Sequence, residues 1–307
     1  MPDELRIASR PSLTDPVLIV AFRGWNDGGQ GASLAGGFLA KVWQAERFGD
    51  IDPEGFFDFQ ATRPQVSLVD GVTRRIDWPE NVFLNARVPG SKRDIVLLLG
   101  VEPNIRWRAF TDLIVGLADD LNVQLIVTLG SLLADVPHTR PSPVTGSATD
   151  PKLVEALGLS ASRYEGPTGI VGILHDACRR RELPSVSLWA AVPHYVSLTP
   201  NPRAAKAICD RLGELLDATV DTTELEEAIE TYTEQVSEAV ATDADTAAYV
   251  DELEERADAA QESEPERNPG DEENPSGDAL AAELTRFLRE READGNGGQG
   301  PGGPQPH

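Results

Sequence analysis

Short runs of consecutive hydrophobic residues alternate along the first 200 positions with stretches of helical periodicity. Val17–Phe22, Ile95–Gly100, Gln124–Leu129 and Ser185–Val192 carry apolar side chains without polar alternation. A strand of that composition is buried on both faces, as central strands of parallel sheets are. Between the runs, apolar residues recur at three- and four-residue spacing and predict helices at about 32–44, 107–121, 169–182 and 202–217. Asn201 before Pro202 marks one start clearly: an N-cap side chain, then a ring whose φ suits the first helical position. Strand, glycine-rich turn and helix between Val17 and Gln44 form one β-loop-α unit. Its repetition predicts an α/β fold, a mostly parallel sheet with helices on both faces. Asp70-Gly71, between two segments bearing Val, Leu and Ile, predicts a hairpin over 66–77 inserted beside the parallel strands.

The pattern changes near residue 220. Leu225, Ile229, Tyr232, Val236 and Val240 recur at helical spacing behind a Thr223–Glu226 capping box, predicting a helix over 223–241. A second, at about 246–260, puts Tyr249, Leu253 and Ala257 on one stripe. Such a pair packs on the core or on a neighbouring subunit. From Ser263 onward Glu, Pro, Asn and Gly dominate, and a segment that cannot bury apolar surface is expected to stay disordered. One island interrupts it, because Leu280, Leu284, Phe287 and Leu288 share a face of a potential short helix at 279–292. That island is either a marginal helix with no partner or a docking peptide for another protein. The expected organisation is a core domain at 1–220, an acidic helical extension at 221–262 and a tail at 263–307.

Charge follows the same division. The 307 residues carry a formal net charge of -24. Residues 1–220 hold 22 basic and 26 acidic residues, while residues 221–307 hold 5 and 25. The core is therefore nearly balanced and the extension strongly acidic. Phosphate backbones and anionic headgroups bind through Lys and Arg clusters, so neither nucleic acid nor a membrane surface is expected as a partner. The longest apolar run, Ile95–Val101, falls far short of the roughly 20 residues a membrane span needs. The acidic start Met1-Pro2-Asp3-Glu4 lacks the basic and apolar stretches of a signal peptide. Two cysteines, Cys178 and Cys209, make neither a disulfide framework nor a zinc ligand set. A cytoplasmic location and no metal site are the expectations.

Candidate chemistry gathers behind the strands, where open α/β sheets bind their ligands. Asn26 and Asp27 follow the first strand, Glu102 the second, His138 and Arg140 the third, His194 and Tyr195 the fourth. Histidine titrates near neutrality, so His138 and His194 are the acid or base candidates, with Asp27 or Glu102 as orienting carboxylates. The competing reading is that both histidines only fix their loops by hydrogen bonds. Thr168 and Gly169 precede a helix whose free N–H groups could hold an anion with Arg140 supplying charge, or Thr168 could be a plain N-cap. The glycines at 24, 28, 29 and 31 do not spell G-x-G-x-x-G, and neither a phosphate-binding loop, a nucleophile elbow nor an H-E-x-x-H motif occurs. No cofactor is implied, and an enzyme is disfavoured.

Six ordered motifs carry a resemblance: Leu18–Phe22 followed by Gly24-Trp25-Asn26-Asp27, then Gly100–Pro103, Asp135–Pro141, Tyr164–Gly169 and Ser187–Tyr195. Together they resemble the proteasome assembly chaperone 2 family in its actinobacterial form, over about residues 5–260. An excess of Arg over Lys, 23 to 4, is in keeping with a high-GC genome. The resemblance implies a three-layer α/β/α sandwich like that of nucleoside phosphorylases and hydrolases. It also implies self-association, with a trimer one candidate, and proteasome α-subunits as partners of a non-enzymatic protein. Such chaperones commonly end in a hydrophobic residue, a tyrosine and one more residue. Here the last residues are Gly-Pro-Gln-Pro-His307, which leaves the segment around Phe287 as the docking candidate. The alternative is a small-molecule enzyme or sensor taking an anion or a nucleoside-like ligand at the strand ends.

Overall fold

A computed structural model describes residues 4–148 and 165–263. Its strands are β1 (Leu5–Ile7), β2 (Val17–Arg23), β3 (Glu46–Ile51), β4 (Gln65–Val69), β5 (Thr73–Asp77), β6 (Asn81–Arg87), β7 (Asp94–Val101), β8 (Leu125–Ala134), β9 (Val144–Ala148) and β10 (Ser185–Pro193). Its helices are α1 (Gly31–Val42), α2 (Trp107–Asp120), α3 (Ile170–Arg180), α4 (Pro202–Leu216), α5 (Thr223–Val240) and α6 (Ala244–Ser263). Eight strands form one sheet in the order β1-β3-β6-β7-β2-β8-β10-β9. The four predicted apolar runs are its centre, β7-β2-β8-β10, all parallel.

Both faces of that centre are covered, which is why its sequence does not alternate. Val17, Ile19 and Ala21 of β2 pack with Ala35 and Leu39 of α1 and with Ile208 and Leu212 of α4. Leu18, Val20 and Phe22 point the other way, to Phe110 and Ile114 of α2 and Leu174 of α3. Each fully buried side chain of this size contributes about 1.5–3 kcal/mol of transfer free energy. The result is the expected three-layer α/β/α sandwich.

Three expectations need correction. The sequence does not predict the outer strands β1, β3, β6 and β9; all four pair antiparallel with their neighbours. Their sequences, such as Glu46-Arg-Phe-Gly-Asp-Ile51, mix charge with apolar residues because these strands are only partly covered. The 66–77 hairpin exists as β4–β5, turning at Asp70 (φ 53°) and Gly71 (φ 73°), but it is a separate two-stranded sheet and not part of the parallel one. At α5 the predicted capping box does not form. Asp221 Oδ1 accepts from the N–H and hydroxyl of Thr223 at 3.2 and 2.7 Å, while Glu226 is turned to the Thr222 hydroxyl at 3.4 Å. An Asp two residues upstream reaches the first free N–H more directly than Thr223 reaches its own third turn residue.

α5 buries Leu225, Tyr232 and Val236, and α6 buries Val250 and Leu253. Among the described residues no helix is long and apolar enough to cross a membrane. The 279–292 segment with Leu280, Leu284, Phe287 and Leu288 lies outside the described residues, as does most of the tail.

Candidate functional site

The loop after β2 begins at Gly24, whose φ of +148° suits glycine and where a Cβ would lie 2.8 Å from that of Glu102. Trp25 beyond it is 66% exposed, whereas Asn26 and Asp27 are buried. Asp27 Oδ1 accepts from Ala32 N at 2.9 Å, Ser33 N at 3.1 Å and Ser131 Oγ at 3.3 Å. The carboxylate thus satisfies the free N–H groups that open α1, at the end where the helix dipole favours negative charge.

Glu102 does the same for α3 from a distant position in the chain. Its Oε1 accepts from Ile170 N at 2.8 Å and from Asn26 Nδ2 at 3.4 Å, and its Oε2 from Trp25 N at 3.1 Å. Gly169 is the N-cap residue and offers no side chain; a Cβ there would lie 2.8 Å from Glu102 Oε1. Thr168 is exposed and does not cap the helix. The N-terminus proposed for an external anion therefore already faces an internal one, and neither Asp27 nor Glu102 bonds a histidine.

A second group lies behind β8 and β10, under α5 and α6. His138 is 2% exposed. Its Nδ1 lies 2.9 Å from the Tyr195 hydroxyl and its Nε2 3.0 Å from Ser237 Oγ of α5. The Tyr195 oxygen also accepts from His138 N at 2.8 Å, so backbone and ring of His138 both meet the same hydroxyl. Burial pushes the Tyr195 phenol up to about 12 and holds His138 below the usual imidazole range. His194 Nε2 meets the Tyr249 hydroxyl of α6 at 3.1 Å and Asp135 Oδ1 at 3.3 Å, and Tyr249 donates to the same Asp135 oxygen.

Arg140 forks onto Asp258 of α6 at 2.7 and 2.9 Å and reaches Glu254 at 3.4 Å; Thr139 donates to Glu254 beside it. Four of the sequence candidates, His138, Arg140, His194 and Tyr195, thus come together as a polar seam that holds α5 and α6. Asn26, Asp27, Glu102 and Gly169 form the other group, and Thr168 stands exposed beside it. Sequence reasoning missed Asp135, Ser237, Glu254 and Asp258. Only Tyr249, on the predicted apolar stripe, hinted that this face of α6 touches the core.

Neither cysteine is an activated nucleophile. Cys178 and Cys209 are buried, and burial pushes both thiols up to about 12. His175 of α3, partly buried, lies between Thr128 Oγ1 at 3.0 Å and Ser185 Oγ at 2.9 Å, its pKa pushed down to about 4 by desolvation. Among the described residues no cluster of three His, Cys, Asp or Glu side chains could hold a metal ion.

Comparison with known proteins places the architecture. A search of curated proteins returns no match. A PAC2 family protein from Streptomyces avermitilis is 47% identical, with a TM-score of 0.72, covering 77% of this chain and 100% of its own. A Mycobacterium tuberculosis proteasome-assembly chaperone homologue is 46% identical, with a TM-score of 0.70, covering 76% and 99%. An archaeal proteasome activator from Pyrococcus furiosus, 18% identical with a TM-score of 0.63 over 76% of this chain and 97% of its own, shares the fold. The PAC2 family model itself matches residues 21–240, from the end of β2 to the end of α5. The chain belongs to the PAC2 family.

Proposed function

We propose that this protein is a non-enzymatic, self-associating assembly factor, with proteasome α-subunits as the first partner to test. The observation that carries the reading is the β4–β5 hairpin. Val66 and Leu68 lie on one face of β4, with Ile76 and Arg74 opposite them. Leu68 is 62% exposed, Ile76 54% and Val72, at the turn, 84%. A lone two-stranded hairpin is marginal in water, and apolar side chains held out on one are unfavourable unless a partner covers them. At its base Trp78 stacks edge-on against Phe59, with ring centroids 4.8 Å apart, beside a groove of about 610 Å³ that also takes in Arg23, Ser33 and Leu99. Apolar side chains beside Arg74 and Arg23 suit a protein surface that is apolar with an acidic rim. The name of the M. tuberculosis relative supplies the proteasome as the first candidate.

A small-molecule reading at the strand ends is less economical. A ligand there would have to displace Glu102 from Ile170 or Arg140 from Asp258.

Tagged full-length protein expressed in a proteasome-bearing host tests the proposal. Gentle capture is expected to recover α-subunits with the wild type and to lose them with a Leu68→Ser, Ile76→Ser variant, whose exposed substitutions spare the core. Recovery of no α-subunit by the wild type would overturn it.

A further inference from the structure

The β4–β5 hairpin is a sheet of two strands, and among the described residues no other strand hydrogen-bonds the outer edge of β4. The N–H and C=O groups on that side are left to solvent or to an added strand. Sheet edges are commonly guarded by charge or by shortness. β5 is guarded by Arg74, Arg75 and Asp77, and β1 has only three residues with Arg6 at their middle. β9 is uncharged, but it holds no large apolar side chain that stands exposed. β4 reads Gln65-Val-Ser-Leu-Val69, without a charge or a proline, and Val66 and Leu68 are each 62% exposed.

The β4 sequence is complementary to itself. In an antiparallel pairing of two copies that uses all five residues, Ser67 meets Ser67, Val66 meets Leu68 and Gln65 meets Val69. No like charges oppose one another there, whereas the same pairing of β5 would set Arg75 against Arg75, which is destabilising. Charge permits the approach: the chain carries -24 overall, yet within the hairpin Arg74 and Arg75 balance Asp70 and Asp77. Sheet size favours it too, since a lone hairpin is marginal in water and four strands with an apolar face are not.

We infer that β4 pairs antiparallel with β4 of a second copy about a two-fold axis at Ser67, giving one sheet in the order β5-β4-β4-β5. This pairing rests on the self-association proposed above and names its surface. The axis stands perpendicular to the sheet, so Val66, Leu68 and Ile76 of both copies lie on the same side. The apolar face that one hairpin offers a partner is thereby doubled.

Disulfide trapping on the full chain tests this. Directly opposite residues of an antiparallel pair have Cα atoms about 4.5 or about 5.5 Å apart, and a disulfide spans either distance. Val66→Cys and Leu68→Cys chains, distinguished by tag size, are mixed and mildly oxidised. They are expected to link to each other about tenfold faster than Val72→Cys chains link among themselves, because pairing holds the thiols close. Val72, at the turn, is 84% exposed and lies off the axis, so it reports random collision. Each variant alone is expected to link no faster than that control, since Val66 opposes Leu68 and not itself. All three positions are exposed, so the core is spared, and the native Cys178 and Cys209 are buried. Mixed chains that link no faster than Val72→Cys, or Val66→Cys chains that link to themselves as fast as the mixture, would overturn the inference. No proteasome subunit is present in this experiment. Capture of α-subunits without the cross-link would sink the pairing and leave the assembly role standing, and the cross-link without capture would do the reverse.

Discussion

Glu102 joins three segments that are remote in sequence, taking N–H groups from Trp25, Asn26 and Ile170 on one carboxylate. Replacing it by Ala leaves the first turn of α3 without its acceptor and is expected to cost about 1–2 kcal/mol, the range of a lost helix cap. Asp27→Ala is expected to cost a similar amount at α1, and urea unfolding of each variant against wild type measures both. His175 supplies a pH signature. Its folded pKa of about 4 lies below the unfolded value near 6.5, so the unfolded chain takes up the proton first. The stability tied to its neutral form is whole above pH 6.5, declines as the pH falls, and by pH 4 has dropped by about 3 kcal/mol. Urea unfolding from pH 7 to 4 should therefore show a flatter profile for His175→Asn than for wild type, and equal slopes would contradict the assignment. His138, whose pKa burial also lowers, adds to the wild-type slope in the same direction.

The extension helices are held by a few apolar anchors and a polar seam. Leu225, Tyr232 and Val236 of α5 and Val250 and Leu253 of α6 are buried, while Arg140, His138 and His194 bond the outer residues. The Arg140 pairs are partly exposed, so screening by water keeps their worth small. Arg140→Met is expected to leave global stability almost unchanged. Amide exchange should quicken in 244–260 with little change in β2 and β8. Exchange that rises equally throughout would show that α6 does not open as a separate unit. The periodicity of both helices was legible in the sequence, because a surface helix must show its apolar stripe. Their polar partners were not, since Asp135, Glu254 and Asp258 look like any acidic surface residue until the chain folds. The outer strands β3 and β9 escaped for the converse reason: Gly49, Gly146 and interspersed polar side chains blur the period of two.

For the whole molecule, the hairpin points to association. Sedimentation of the wild type is expected to reveal a species larger than one chain, and Leu68→Ser, Ile76→Ser to shift it toward the single chain if the same face serves self-association. Unchanged sedimentation of the variant would assign self-association to another surface. The formal charge of -24, concentrated beyond residue 220, makes part of that extension a counterpart for the nearly balanced core, with Arg140 as the main basic contact. The sequence by itself determined the layered α/β architecture, because strands buried on both faces must be apolar throughout and the helices covering them must be amphipathic. It also determined which loops stand at the strand ends. Only the tertiary structure decided what those polar loops do. A carboxylate reads alike whether it receives a substrate or caps a helix, and that choice rests on contacts between residues as far apart as Glu102 and Ile170.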